Sequence, residues 1–209
     1  MIKEIVDVDS LHELKTVKKN KKFILTYSLS MREPDNAVKV GLACIRRRKT
    51  VCIQLDKSYK MGTIGVFEGE KIALAFDYAT RGKLPVVSVI ASGGIRVNEG
   101  TLALMQMAKI TAAIQQHGEK GLLYVSVVTN PTLGGTSVSL VSFADIIIAE
   151  KDAIYGFSGR RIIEDTTNEL LPKDFQTAEY AKFHGMVDIV ADKSEIKQII
   201  SRLLQLHER

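Results

Sequence analysis

Two short valine-rich runs, LPVVSVIAS at 84–92 and GLLYVSVVTN at 121–130, contain no charged residue. Apolar runs of this length are typical of strands that are covered on both faces, as in parallel sheets. Each run leads to an adjacent pair of glycines and then to a segment with helical character. Buried strands that alternate with helices predict a layered α/β fold with a largely parallel sheet. Both glycine pairs should then lie at the carboxyl ends of strands, where ligands tend to bind.

The remaining pattern supports this fold class. AVKVGLACI and TVCIQLD, joined by RRRK, predict a β-hairpin. The segment after it has apolar Ile72, Ala75, Phe76 and Ala79 on one helical face, with Gly82 as a C-cap.

Two more helices are predicted. The segment EGTLALMQMAKITAAIQQHG is apolar on nearly every side, so we expect it to be buried between layers. SEIKQIISRLLQLH closes the chain with apolar residues at helical spacing. Residues 1–36 are polar and irregular and end in the turn-rich REPDN, so we predict an N-terminal extension at 1–36 and one domain at 37–209.

Composition excludes several classes of protein. No apolar run is long enough to cross a bilayer, and the first twenty residues do not resemble a signal peptide, so a cytoplasmic location without membrane contact is expected. The net charge of +5 comes largely from short basic runs typical of solvated turns, so we do not expect a nucleic-acid partner. The only two cysteines, Cys44 and Cys52, form no CxxC pair, so we expect no metal site.

The glycine pairs allow a specific chemistry. Glycine lets the backbone approach a ligand, and an N–H group at a helix start lacks an acceptor within the helix. Gly93–Gly94 and Gly134–Gly135 can therefore each build an oxyanion hole that stabilises an enolate or a thioester oxygen. The alternative is that both pairs only permit tight turns. Two pairs in equivalent positions favour the functional interpretation.

Other catalytic motifs are missing. The sequence has no GxGxxG, no Walker loop and no complete GxSxG. His12, His117, His184 and His207 have no metal-ligand spacing and lie near the termini or in predicted turns. The sequence thus offers no obvious side-chain base for proton transfer.

Arg96, two residues after the first glycine pair, has two possible roles. It can form an ion pair with Glu99, or its guanidinium group can hold a substrate carboxylate through two parallel hydrogen bonds. The sequence alone does not decide between them.

Five collinear stretches resemble a known family. They are similar to the carboxyltransferase β subunit of bacterial acetyl-CoA carboxylase. The five stretches are SVIASGGIRVNEGTLALMQMAK, VVTNPTLGGTSVSL, GFSGRRIIEDT, LPKDFQTAEYAKFHGMVDIVADKSEI and the glycine-rich MGTIGVFEGEKI. The resemblance covers about residues 38–206. It implies a crotonase-like α/β spiral of ββα units, and an enzyme that moves the carboxyl group of carboxybiotin to acetyl-CoA, giving malonyl-CoA.

The resemblance also implies roles for individual residues. Gly134 and Gly135 match the glycine pair that supplies oxyanion-hole amides, and Gly93 and Gly94 match the glycines of a Ser-Gly-Gly-Ala-Arg motif. Arg96 matches the arginine of that motif and is expected to bind substrate.

Three further substrate-binding positions follow from the resemblance. Gly62 and Gly65 match the glycine-rich loop, and Arg161 falls in the GFSGRR stretch. In the family, the ureido group of biotin takes the proton, which would explain the missing side-chain base. An α-type subunit completes the active site, a biotin carboxyl carrier protein delivers the biotin, and a coenzyme A thioester is the substrate.

The sequence departs from the family at several points. It lacks the four-cysteine zinc ribbon, so no metal is expected, and Ile95 replaces the usual alanine beside the first glycine pair. Two alternatives therefore stay open. The first is a biotin-independent decarboxylase or hydratase of the crotonase superfamily, whose pocket carboxylates would be Glu99 and Glu164. The second is a non-catalytic regulatory subunit of the same fold.

Overall fold

A computed structural model describes residues 1–19, 22–26 and 35–208 of the chain. Its strands are β1 His12–Lys19, β2 Lys22–Thr26, β3 Val38–Ile45, β4 Arg48–Leu55, β5 Val86–Ser92, β6 Tyr124–Thr132, β7 Ile146–Glu150 and β8 Ile189–Ala191. Its α-helices are α1 Ile2–Ile5, α2 Val66–Gly82, α3 Gly100–Gly118, α4 Arg160–Thr167, α5 Ala178–Phe183 and α6 Lys193–His207.

The strands form one sheet in the order β2-β1-β3-β4-β5-β6-β7-β8. Neighbours from β2 to β4 run antiparallel, and β3 and β4 form the predicted hairpin. Neighbours from β4 to β8 run parallel. Because β5 and β6 are central and parallel, their carboxyl ends bring the two glycine pairs to the same edge of the sheet.

A hydrophobic core covers each face of the sheet. On one face, α2 and α3 contribute Phe76 and Ile110, among others, to the larger core. On the other face, α1 and α6 contribute Ile5 and Ile200. The predicted apolar face of α2 is fully buried, and burial of a side chain such as Phe76 stabilises the fold by roughly 1.5–3 kcal/mol.

The prediction that α3 is buried on nearly every side is wrong. One face, which includes Ala103 and Ile110, is buried, chiefly against α2. The opposite face is open, because the side chains of Leu102, Leu104 and Met105 are 64%, 58% and 62% exposed. The sequence could not separate these faces because both are apolar.

Two local expectations also need correction. Helix α2 includes Gly82, and its C-cap is Lys83 in the left-handed conformation. The described part of 1–36 is not irregular, since α1 packs on the second core and Leu14 of β1 is fully buried in the first. The boundary between 1–36 and 37–209 stays a prediction.

Across the described ranges, no helix is both long and apolar enough to cross a membrane. Within the same ranges, no three histidine, cysteine or acidic side chains come together as a metal site would need.

Candidate active site at the two glycine turns

Two turns meet at the carboxyl edge of the sheet. The first glycine turn comprises residues 92–96 and starts at the last residue of β5, and the second comprises residues 133–136 after β6. Gly94 and Gly134 have φ angles of 112° and 67°, which favour glycine. A Cβ atom placed on Gly94 would lie 3.2 Å from Gly134 Cα and 3.3 Å from the nitrogen of Gly135. The two turns therefore pack backbone against backbone, and side chains at either glycine would separate them.

Three of the four predicted oxyanion-hole amides already have acceptors within the chain. Gly93 N–H donates to the Met61 carbonyl at 2.8 Å, and Gly94 N–H donates to Ser92 Oγ at 3.1 Å. Gly134 N–H donates to the Phe157 carbonyl at 2.8 Å. In this arrangement these three amides brace the turns and are not available to a substrate oxygen.

Gly135 differs from the other three glycines. It is the first residue of a short helical segment, 135–141, between β6 and β7, and its N–H has no acceptor in the part of the chain that the structure describes. Such a group at a helix start carries partial positive charge and suits an anionic oxygen. Ile95 packs over this glycine, because a Cβ atom on Gly135 would overlap Ile95 Cγ1 and lie 2.9 Å from Met107 Sδ.

The glycine-rich loop at 60–65 packs beside the first turn. Gly62 N–H donates to the Tyr59 carbonyl at 2.8 Å, and the Gly62 carbonyl accepts a hydrogen bond from Ser92 Oγ at 2.7 Å. Gly65 N–H donates to Glu68 Oε2 at 3.1 Å, which caps the start of α2. These contacts give both glycines a structural role, and their proposed contact with substrate stays a prediction.

Arg96 lies at the centre of a buried ion-pair network. Its side chain is 10% exposed, and it pairs with Glu68, which is 1% exposed, at 2.5 Å and with Glu99 at 2.8 Å. The remaining guanidinium contacts go to Thr63, through the carbonyl at 2.8 Å and Oγ1 at 3.3 Å. Five contacts match the five N–H donors of an arginine, so no donor is left for a substrate carboxylate in this arrangement. The geometry favours the ion-pair interpretation that the sequence left open.

The same network sets the protonation of its members. Burial by itself would lower the pKa of Arg96, but hydrogen bonds to Glu68 and Glu99 outweigh burial and raise it. The pKa of Glu99 is lowered from its ordinary value of 4.5, first by the Val66 N–H and then by Arg96. The Val66 N–H donates to Glu99 Oε2 at 2.7 Å, so Glu99 also caps the start of α2.

The other predicted residues lie on α4. The Arg161 side chain is 94% exposed and its nearest ion-pair contact is Asp165 at 3.8 Å. Arg160 instead folds back to the carbonyls of Leu171 and Pro172 and to Glu164. The structure does not bring Arg161 into contact with the glycine turns, and its role in binding stays a prediction.

Sequence reasoning missed three residues that build this site: Ser92, Glu68 and Thr136. Ser92 and Thr136 are fully buried, and their hydroxyl oxygens lie 2.8 Å apart. The spacing of Gly65 and Glu68 before the helical pattern was a usable signal, because an acidic residue three positions after an N-cap is placed to cap the helix.

A cavity of about 350 Å³ lies beside the second turn. Its lining includes Ser137, whose Oγ donates to the Gly134 carbonyl at 2.6 Å, and the exposed Phe157, whose carbonyl accepts the Gly134 N–H. Val138 and Met186 complete an apolar wall. The second turn therefore borders a space into which an organic group would fit.

Comparison with known proteins decides the family. The profile of the carboxyl transferase domain matches residues 1–201. The chain belongs to the carboxyl transferase domain family. The acetyl-coenzyme A carboxylase carboxyl transferase subunit beta of Latilactobacillus sakei subsp. sakei (strain 23K) is 43% identical over 175 residues, which are 84% of this chain. The chain spans 62% of the length of that relative.

Solved structures agree on the fold. A Pseudomonas malonate decarboxylase hetero-tetramer in complex with malonate superposes with a TM-score of 0.80 at 20% identity, over 98% of this chain and 80% of that chain. Transcarboxylase 12S, solved with methylmalonyl-coenzyme A and methylmalonic acid bound, superposes with a TM-score of 0.79 at 23% identity, over 97% and 40% of the two chains. The predicted crotonase-like α/β fold is confirmed.

Proposed function

We propose that this chain is the β-type carboxyltransferase subunit of an acetyl-CoA carboxylase, which transfers the carboxyl group of carboxybiotin to acetyl-CoA or a related acyl-CoA. The observation that carries the proposal is the 43% identity to a curated β subunit, spread over 84% of the chain. The stretch includes the two glycine turns that the fold brings together.

Gly135 supplies the chemistry that such a reaction asks of the protein. Removing a proton from the acetyl group places negative charge on the thioester oxygen, and a preorganised N–H group stabilises that charge. The Gly135 N–H has no acceptor in the described chain, so it fits this task. The neighbouring amides of Gly94 and Gly134 fix its position through their own hydrogen bonds.

Three of the four histidines contact residues outside the turns. His117 is buried against Phe76, His184 stacks on Tyr180, and His207 contacts the Gly121 carbonyl. This fits a reaction in which the proton acceptor is not a side chain of this chain. Carboxybiotin, carried by a biotin carboxyl carrier protein, would supply both the carboxyl group and that acceptor. The chain itself would position the acyl-CoA and stabilise the developing charge.

An α-type subunit is the proposed partner. Helix α3 begins four residues after the first glycine turn, and its outer face, with exposed Leu102, Leu104 and Met105, is more apolar than is usual for a helix face in contact with solvent. Exposed Val97 and Met61 extend this surface to the turn itself. A partner bound here would cover the apolar face and close the edge of the active site.

The test is an assay of carboxyl transfer between malonyl-CoA and free biotin, run on the purified chain and on the chain mixed with a candidate α-type subunit. We expect no turnover by the chain alone and turnover by the complex. Decarboxylation of malonyl-CoA that does not need biotin would instead identify the biotin-independent alternative. A complex that forms but has no activity with any acyl-CoA would identify a regulatory subunit.

A double substitution tests the proposed partner surface. Leu104→Glu with Met105→Glu places two charges on the open face of α3, where they do not disturb the core. We expect an unchanged free energy of unfolding of the isolated chain, within about 0.5 kcal/mol. Binding to the α-type subunit, measured by calorimetry, should weaken by at least about a hundredfold because the apolar contact would be lost. Phe183→Glu, on exposed α5, is the matched control, and equal weakening by both variants would contradict the assignment of this face.

A further inference from the structure

Two hydroxyl groups connect the glycine turns across the sheet. Ser92 is the last residue of β5, and Thr136 directly follows Gly135. Both residues are fully buried, and Ser92 Oγ lies 2.8 Å from Thr136 Oγ1. Residues 44 positions apart in the sequence are thus joined by one short hydrogen bond.

The hydrogen-bond count assigns the protons. A hydroxyl group has one hydrogen and two lone pairs. Ser92 Oγ lies 2.7 Å from the Gly62 carbonyl, to which it donates, and it accepts the Gly94 N–H at 3.1 Å. The second lone pair of Ser92 Oγ then accepts the hydroxyl hydrogen of Thr136 at 2.8 Å. The other acceptor within reach of that hydrogen, the Gly94 carbonyl, is farther from Thr136 Oγ1, at 3.1 Å. Every donor and acceptor position of Ser92 is used.

Ser92 therefore links three segments: the glycine-rich loop, the first turn and the second turn. The contact with Thr136 is the part that reaches the second turn. Thr136 directly follows Gly135, and the Gly135 N–H, which has no acceptor in the described chain, belongs to the preceding peptide unit. Displacing Thr136 would therefore displace the amide to which the proposed function assigns the reacting oxygen.

We propose that the Ser92–Thr136 hydroxyl bridge positions the Gly135 N–H for catalysis. Both are positioning residues, because they act through the backbone of the turns and not on the substrate. The inference rests on the proposed carboxyltransferase function for the identity of the reaction. The geometric part, that the bridge holds the two turns in register, can be tested without any activity.

The same strand offers a matched control. Ser88 lies four residues before Ser92 in β5, is also fully buried, and bonds to Tyr124 Oη at 2.9 Å and Ser126 Oγ at 3.1 Å. Ser88→Ala removes a buried hydroxyl from β5 but leaves the glycine turns intact. It therefore separates loss of a strand hydrogen bond from loss of the bridge.

The kinetic test uses the complex with the α-type subunit. Thr136→Val keeps the shape of the side chain and removes only the hydroxyl. We expect kcat for carboxyl transfer to fall about tenfold to a hundredfold, with KM for the acyl-CoA changed less than about threefold, because misplacement affects the transition state. Thr136→Ser should recover most of kcat, and Ser88→Ala should leave kcat near that of the original chain.

Three kinetic results would overturn the proposal. One is an unchanged kcat in Thr136→Val. Another is an equal loss in Thr136→Ser, which would assign the effect to the methyl group. The third is an equal loss in Ser88→Ala, which would assign it to general weakening of β5.

The second measurement needs no activity. Backbone amide exchange, followed by NMR on the isolated chain, reports the opening of individual hydrogen bonds. In Thr136→Val the amides of Gly94 and Gly134 should exchange at least about tenfold faster, while that of Val87 near the start of β5 should not change. Unchanged exchange at the glycines would overturn the bridge. If the original complex transfers no carboxyl group, the proposed function fails, and this measurement still decides the role of the bridge.

Discussion

The two glycine turns look equivalent in the sequence and differ in the structure. In the first turn, the N–H groups of Gly93 and Gly94 both have internal acceptors, and Arg96 ties the turn to α2 through Glu68. In the second turn, Gly135 keeps a backbone donor without an acceptor in the described chain. The same dipeptide thus serves as a brace in one place and as a candidate binding group in the other. What separates them is the set of distant groups that each turn meets.

The largest expected effect is at the braced turn. Arg96→Met leaves the Glu68 carboxylate, 1% exposed, without its charged partner. Breaking a buried ion pair from one side costs about 3–5 kcal/mol, so urea denaturation should show a loss of that size. The stability of Arg96→Lys should lie between that of the original chain and that of Arg96→Met, because lysine keeps the charge but cannot reproduce the two parallel contacts with Glu68.

The control for Arg96 is Arg161→Met on α4, where the side chain is 94% exposed. Its free energy of unfolding should change by no more than about 0.5 kcal/mol. Equal stability losses at the two arginines would contradict the view that the first turn is braced by a buried network.

A smaller effect is expected at the second turn. Gly135→Ala places a Cβ atom onto Ile95 Cγ1, and overpacking of this kind costs about 1–3 kcal/mol. Ile95→Ala in the same chain removes the tighter overlap and leaves only the flexible Met107 Sδ at 2.9 Å, so the double variant should regain part of the lost stability in a denaturation experiment.

The activity of the Gly135→Ala, Ile95→Ala double variant tests the role of the Gly135 amide. If the Gly135 amide binds the reacting oxygen through its N–H, the double variant should also regain carboxyl transfer, because alanine keeps the backbone donor. Gly118→Ala, at the end of α3 with nothing within 4 Å of the added carbon, is the matched glycine control. Stability regained without any activity would show that the space beside Gly135, and not its amide alone, is needed.

The smallest effect concerns pH. The folded-state pKa of Glu99 lies below its ordinary value of 4.5, so its contribution to stability is complete above that value and is lost as the pH falls through the folded pKa. Glu99→Gln should therefore reduce stability at neutral pH and make the decline below about pH 4.5 less steep. Urea denaturation between acidic and neutral pH measures both the stability and its slope against pH. Asp165→Asn on exposed α4 is the control for removing one negative charge. A slope identical to that of the original chain would mean that Glu99 does not brace the first turn.

Much of the fold could be predicted because its signals are local. The run at 84–92 contains only small or apolar side chains, and six of the seven residues that form β5, Val86–Ser92, are buried. The spacing of Ile72 and Phe76 placed the buried face of α2 correctly. On α3 the same reasoning failed, since apolar residues such as Leu104 and Ile110 occur on both faces and only packing shows which face is covered.

The sequence by itself determined the fold class, the positions of the glycine pairs and the family resemblance, because each depends on residues close together in the chain or on collinear motifs. Tertiary structure decided which amide is available. The acceptor of Gly134 is the carbonyl of Phe157, and that of Gly93 is the carbonyl of Met61. A hydrogen bond depends on distance and direction in space, so groups more than twenty residues apart in the chain determine whether a backbone donor braces a turn or faces a ligand.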